Sequence, residues 1–239
     1  MSMPVSASSH PDQSSRNRLL ASLPPEEFER VSAHLSPYSL QMGNVLHEPG
    51  QKVEQVFFVE EGMLSYVLYP AVGLGVEVGV VGSEGVGGAG AVLAQQATSI
   101  QIMVQSRGTA QVMPAEAFSA EVRRGEALHQ SVQRHLHEMS MMAARNALCN
   151  RQHTTEERLS RWLLMVNDRV PRSHLELKGS FLSLMLGSRE SGVFIAASIL
   201  KKSGLIDFDE SSVTITNRKG LESAACDCYE PLRLNALQS

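Results

Sequence analysis

The sequence predicts an α+β chain: an N-terminal double-stranded β-roll, a long helix, and a C-terminal winged helix-turn-helix. Three observations predict it. Residues 38–116 carry short β-rich runs divided by turn residues; residues 126–150 contain neither Gly nor Pro; residues 181–206 read as two short helices joined at Gly187 and Ser188. A β-rich hairpin follows the second of those helices, in the place of a wing.

Residues 1–15 are Ser-rich, polar and without periodicity, and read as a disordered tail. Residues 16–122 form the β-roll unit. Its runs at 56–59, 64–68, 76–80 and 100–104 alternate or are rich in β-formers, with Glu60, Glu61, Gly62 and the stretch 70–75 supplying turns. Within it lies GVVGSEGVGGAGAVLA, where Gly85, Gly87 and Gly90 formally match G-x-G-x-x-G. A dinucleotide fold also needs a crossover helix and an acid about 20 residues on; this segment returns to strand by Ile100 and offers Ala110 there. Glycines and backbone amides before a helix can still hold an anion, so Gly82, Glu84, Gly85, Gly87, Gly88, Thr98 and Ser99 are candidate pocket residues. The alternative is a tight glycine loop that holds nothing.

Residues 123–150 form the connecting helix. Leu128, Val132, His135, Met139, Met142, Asn146 and Cys149 recur at alternating steps of four and three, the spacing of a heptad seam. On that reading the seam faces a second copy, with His135 and Asn146 fixing register. The alternative is a helix packed on its own β-roll through Leu136, Ala143 and Ala147.

Residues 151–239 form the last unit. Thr154-x-x-Glu157 is a capping box, opening a helix with Leu159, Trp162, Leu163, Val166 and Val170 on one stripe and Pro171 as its stop. In the two-helix segment, Ser188 is placed to cap the second helix and Gly204 to end it. Val193, Ala196, Ala197 and Leu200 make its inner face, leaving Glu190, Ser191, Phe194, Ile195, Ser198 and Lys201 outside. The hairpin runs from Leu205 through Phe208 and from Val213 through Thr216, around Asp209, Glu210, Ser211 and Ser212.

A chain of 239 residues with 43% apolar side chains can build two modest cores. No apolar run approaches the ~18 residues of a membrane span and no export signal is visible, so a cytoplasmic location is expected. A net charge of −4 and a pI near 6.1 argue nothing for nucleic acid. Any phosphate-binding surface must come from local pairs such as Lys201 with Lys202 and Arg218 with Lys219, which could equally be solvated surface. Cys149, Cys226 and Cys228 are too few for a disulfide scaffold, and Cys226-x-Cys228 has no partner motif at zinc spacing, so structural thiols without metal or other cofactor are expected. No nucleophile, base and orienter cluster is visible, so no enzymatic activity is expected.

The segments CNRQHTTEERLSRWLLMVNDRV, LMLGSRESGV, KKSGLIDF and GLESAACDCY resemble the C-terminal half of Crp/Fnr-type bacterial transcription regulators. LLASLPPEEFERV, VFFVEEGMLSYV and VGSEGVGG resemble the helix, hairpin and glycine-rich cassette of that family's cyclic-nucleotide-binding-like β-roll. The resemblance implies a homodimer binding double-stranded DNA at a palindromic operator, an unknown small-molecule effector, contact with RNA polymerase if it activates, and no membrane. It implies a DNA surface built from Ser188, Arg189, Glu190, Ser191, Phe194, Ile195, Ser198, Lys201, Lys202, Arg218 and Lys219. Cyclic-nucleotide-binding relatives use a Glu for the ribose and an Arg for the cyclic phosphate; aligning on Gly87 puts Gly88 and Thr98 at those positions, so cAMP binding is expected to be lost. An iron–sulfur cluster needs about four thiolates, which the N-terminal half lacks, and His34 and His47 give no support for haem. The groove-facing set is unusual for the family, with Arg189 one place off the usual site. This leaves open a helix-turn-helix that binds a protein partner, or, through the glycine motif, a nucleotide-binding enzyme.

Overall fold

The computed structural model describes residues 15–177, 179–209 and 211–238, with backbone alone from 234 onward. The tail expected at 1–15, save Ser15, and Glu210 of the hairpin turn lie outside the described residues. Two short helices, α1 (Arg18–Ala21) and α2 (Pro25–Ser32), precede the sheet. Asn17 caps α1 by accepting from the Leu20 N–H and is itself buried, its amide donating to the carbonyls of Val59 and Gly85.

The sheet strands are β1 (Ser36–Leu40), β2 (Val45–His47), β3 (Gln55–Leu68), β4 (Val76–Val81), β5 (Val86–Gly87) and β6 (Ile100–Pro114), with α3 (Ala89–Ala94) between the last two. The long antiparallel pair β3 and β6 serves both layers of the roll. The N-terminal end of β3 pairs with β5 and its C-terminal end with β4; likewise β6 pairs with β2 near Ile102 and with β1 from Gly108 to Val112. Register shifts between Val59 and Leu64 bend the pair where the layers divide. Glu60, Glu61 and Gly62 therefore form no turn. They are a bulged part of one strand, and Gly62 takes φ +91°, where an added Cβ would lie 2.5 Å from the Ser106 carbonyl oxygen.

Between the layers lies a core of Leu40, Phe57, Val59, Leu64, Val81, Ile102 and Val104. A second core joins the outer face of the roll, through Val56, Phe58, Val86 and Met113, to the helices, including Phe118 of α4 (Ala115–Arg123) and Leu128 and Val132 of α5 (Ala127–Gln152). Gly125, at φ +77°, breaks α4 from α5. The connecting helix thus starts at Ala127, and residues 123–126 belong to the end of α4 and the turn. Glu27 closes the join by accepting from the Ala127 and Leu128 N–H groups.

The C-terminal unit comprises α6 (Thr155–Arg169), β7 (His174–Glu176), α7 (Gly179–Leu186), α8 (Glu190–Lys202), β8 (Ile206–Phe208), β9 (Ser212–Ile215), α9 (Arg218–Ala224) and α10 (Tyr229–Gln238). The capping box at Thr154 and Glu157 is formed, and the α6 stripe is buried, Leu159 and Leu163 completely. Each such side chain contributes roughly 1.5–3 kcal/mol. The wing is a three-stranded sheet, β7-β9-β8, the additional strand being supplied by His174, Leu175 and Glu176. Among the described residues no helix is long and apolar enough to cross a membrane.

Candidate nucleic-acid interface and ligand cavity

Helix α8 lies over α7 on Val193, Ala196, Ala197 and Leu200, all buried, and Gly204 takes φ +69° just past its end. Its first residue is Glu190. Ser188 is therefore one place too early to cap it: Arg189 holds the N-cap position without a side-chain bond, while Ser188 Oγ donates to the Leu186 carbonyl and accepts from Arg158. The outer face projects as expected, with Arg189, Glu190, Ser191, Phe194 and Ile195 exposed. Ser198 is turned back onto its own helix, donating to the Phe194 carbonyl at 2.8 Å.

The basic residues divide sharply. Lys201 reaches the wing, pairing with Asp207 at 2.6 Å and lying over the Phe208 ring. Arg218 is a structural cation: it pairs with Asp168 of α6 at 2.5 Å and with Glu222 at 3.0 Å, and meets the Tyr229 hydroxyl. These contacts tie α9 to α6, with the Arg218 side chain 36% exposed. Arg189, Lys202 and Lys219 remain as exposed cations on this side. Phe194 meets Phe208 edge-on at 5.6 Å, bridging helix and wing. Between α7, α8 and the wing lies a groove of about 910 Å³ whose walls include Leu182, Phe194, Phe208 and Val213.

The heptad face of α5 is turned inward. Leu128, Val132, His135, Met142, Asn146 and Cys149 are buried within the protomer and Met139 is partly buried, all against their own chain. Two glycines explain the choice: a Cβ at Gly79 would stand 2.8 Å from Met139, and one at Gly85 only 2.3 Å from the His135 ring. Bare backbone on the roll accepts the bulky side of the helix. Ala143 and Ala147, the alternative packing stripe, are exposed, as are Met141, Ala144 and Leu148. Leu136, the third residue of that alternative stripe, is half-buried and packs against the second core.

A cavity of about 460 Å³ opens between the glycine-rich segment, the start of β6 and α5. Gly88, Thr98 and Ser99 line it, beside Tyr66, Ile100, Ile102, Leu136 and Met139. Gly88, at φ +90°, donates its N–H to the Tyr66 hydroxyl at 2.9 Å, and burial pushes that phenol up to about 12. Burial pushes His135, also on the wall, down from its ordinary value. No Arg, Lys, Asp or Glu lines this cavity among the described residues. The remaining candidates lie elsewhere: Gly82 is packed beside Arg169, Gly85 against His135, and Gly87 against Leu64.

Glu84 has a different task. Its carboxylate meets Arg169 of α6 at 2.6 Å with both side chains buried, joining the roll to the helix-turn-helix unit. Burial is the largest influence and pushes Glu84 upward, yet the Arg169 charge, its hydrogen bond and those from the Gly82 and Glu84 N–H groups together hold the carboxyl below its ordinary value. A second bond crosses the same boundary, from Trp162 Nε1 to Glu77 Oε1 at 2.9 Å. Sequence reasoning missed Glu77, although a lone acid in the apolar run VEVGVV was its signal. It also left Cys149, Cys226 and Cys228 unconnected, whereas the fold gathers all three with His153.

No protein-family model matches the chain, and no curated protein matches it. Solved structures do. A protein described as a transcriptional regulator of the Crp/Fnr family, from Eubacterium rectale, superposes with a TM-score of 0.70 at 14% identity, over 87% of this chain and 98% of its own. A Crp-family transcriptional regulator from Thermus thermophilus gives 0.66 at 19% identity, over 82% and 98%. The c-di-GMP-responsive global regulator of Xanthomonas campestris gives 0.65 at 14% identity, over 80% and 99%. The likeness is one of fold: this chain has the architecture of the Crp/Fnr regulators.

Proposed function

We propose that this protein is a homodimeric, sequence-specific DNA-binding transcription regulator of Crp/Fnr type, acting in the cytoplasm without catalysing a reaction. The observation that carries the reading is the exposed N-terminal half of α8, standing clear of a buried inner face and flanked by a wing. A helix so presented can enter the major groove, with its first residues nearest the base edges. Arg189 can pair with guanine, Glu190 can accept from cytosine, and Phe194 or Ile195 can meet thymine methyls. Lys202 and Lys219 supply phosphate contacts.

Dimerisation then uses the outer face of α5, where His137, Met141, Ala144, Leu148 and Arg151 recur at steps of four and three. Small Ala144 allows close approach, and exposed Met141 and Leu148 gain burial. Two copies related by a two-fold axis would carry their α8 helices to successive major grooves, so the operator should be palindromic. The cavity beside α5 is the effector site in this reading. Its uncharged wall suits a neutral ligand and leaves a cyclic phosphate without a charge-assisted partner. An activating member would also touch RNA polymerase.

A second reading has its own observation: the apolar groove along α8, bordered by Phe194, suits an apolar protein segment. Selection of bound duplexes from a random pool separates the two. Enrichment of a palindrome supports the regulator. Weak binding with no enriched sequence transfers the role of α8 to a protein partner.

A further inference from the structure

The three cysteines of this chain converge with one histidine where the connector helix hands over to the helix-turn-helix unit. Cys149 lies in the last turn of α5, and His153 follows one turn later as the residue that ends it. Cys226 and Cys228 come from the short link between α9 and α10. One ligand atom from each lies within 4.8 Å of all the others. The Cys149 and Cys226 sulfurs are 3.5 Å apart, and Cys228 Sγ is 3.8 Å from His153 Nδ1. A tetrahedral zinc with Zn–S near 2.3 Å and Zn–N near 2.0 Å has S–S edges of roughly 3.8 Å and S–N edges of roughly 3.5 Å, so these two edges lie within about 0.3 Å of bound length.

Three further features fit an ion. The cysteines are buried, at 0%, 5% and 1% exposure for Cys149, Cys226 and Cys228, so the sulfurs are shielded from water while His153 closes the partly exposed edge. His153 turns Nδ1 toward the sulfurs while Nε2 lies 3.3 Å from the Asp227 carboxylate, the outer partner that orients a ligating imidazole. Buried Arg158 and Arg161 act electrostatically on the thiols, and the Nε of each has no hydrogen-bond partner among the described residues. Three thiolates and one neutral imidazole around a divalent ion carry a net single negative charge, which those two cations more than offset.

We propose that Cys149, His153, Cys226 and Cys228 bind one zinc ion as a closed, four-coordinate structural site, clamping the end of α5 to the segment that follows the wing. A Cys₃His set with no open position is a structural zinc set, and soft thiolates disfavour magnesium and calcium. Loading deprotonates the cysteines and forms four metal–ligand bonds, with the released protons passing to solvent. Because the ligands come from both sides of the junction, the ion fixes how the connector meets the DNA-binding unit.

The test uses the full chain, purified under reducing conditions from zinc-supplemented cells. Elemental analysis should find one zinc per protomer, lost on Cys149→Ser and on Cys228→Ser, while Cys149→Ser retains its helical circular dichroism. Cobalt(II) titration of the chelator-stripped wild type needs no variant to fold; it should give thiolate-to-cobalt charge-transfer bands and tetrahedral ligand-field bands. Absence of both zinc and the cobalt bands overturns the site. So does metal retained equally by both variants, or a two-hydrogen mass deficit that peptide mapping places between Cys149 and Cys226 in protein thiol-blocked at lysis, which would mark a disulfide instead. None of these readouts involves DNA, so the metal site and the regulator reading can fail independently.

Discussion

Trp162 donates its indole N–H to Glu77 across the boundary between the β-roll and the helix-turn-helix unit, at 2.9 Å and with both side chains buried. Glu77 also accepts from Ser65 at 2.8 Å, and Ser65 lies 2.5 Å from Gln105. Burial dominates these contacts and raises the Glu77 carboxyl from its ordinary 4.5 to about 7. The folded protein therefore keeps a proton that the unfolded chain gives up.

That proton makes stability depend on pH in a defined direction. A carboxyl whose folded pKa is raised favours the fold fully below about 4.5; the advantage shrinks between 4.5 and 7 and is gone above. The swing is on the order of 3 kcal/mol. Glu77→Gln keeps an acceptor for Trp162 and has no proton to lose, so urea melts should show a flatter profile between pH 5 and 8. An unchanged slope in that variant would remove Glu77 as its source.

Glu84 and Arg169 act in the opposite sense. The carboxyl is held below its ordinary value, so its contribution is present above about 4.5 and is lost as acid protonates it. Arg169→Ala leaves a buried carboxylate, with Arg18 at 3.9 Å as its nearest remaining cation, and should cost about 3–5 kcal/mol of unfolding free energy at pH 7. A loss below about 0.5 kcal/mol would show that water reaches Glu84.

The dimer seam is tested on the outer face of α5. Ala144→Glu with Leu148→Glu should weaken association roughly 100-fold, about 3 kcal/mol, and give monomers at micromolar concentration in sedimentation. Val132→Glu, on the inner face, should unfold the protein instead, since Val132 is fully buried in its own protomer. A wild type already monomeric at that concentration removes the seam.

On DNA, Arg189→Ala and Glu190→Ala should each shift the preferred sequence at about 1–3 kcal/mol per lost base contact. Lys219→Ala should weaken all duplexes alike and lower the salt slope by about one. Arg218→Ala should lower the melting temperature and leave sequence preference unchanged, because its partners are Asp168 and Glu222.

Calorimetry with cAMP or cGMP should show no binding at physiological concentrations. Loss of a charge-assisted partner from a buried site costs a few kcal/mol, roughly two orders of magnitude in affinity. Micromolar affinity would mean that a cation outside the cavity wall moves to meet the phosphate.

What is local was legible in the residues alone. The Thr154 capping box, the α6 stripe, the inner face of α8, the αL glycine at 204 and the wing hairpin each follow from residues within a turn or a hairpin of one another, where propensity and periodicity act directly. Periodicity also showed that α5 has an apolar face. It could not say what covers that face, because a heptad buried by a second copy and one buried by Gly79 and Gly85 of the same chain have the same spacing. Tertiary structure decided that, and with it the fate of isolated charges: Arg218 is drawn to Asp168, Glu84 to Arg169, and Glu77 to Trp162, over 50, 85 and 85 residues of chain. The Cys149 and Cys226 thiols meet across 77 residues. Such pairings are set by how packed layers are placed, a property of the whole core that no local spacing encodes.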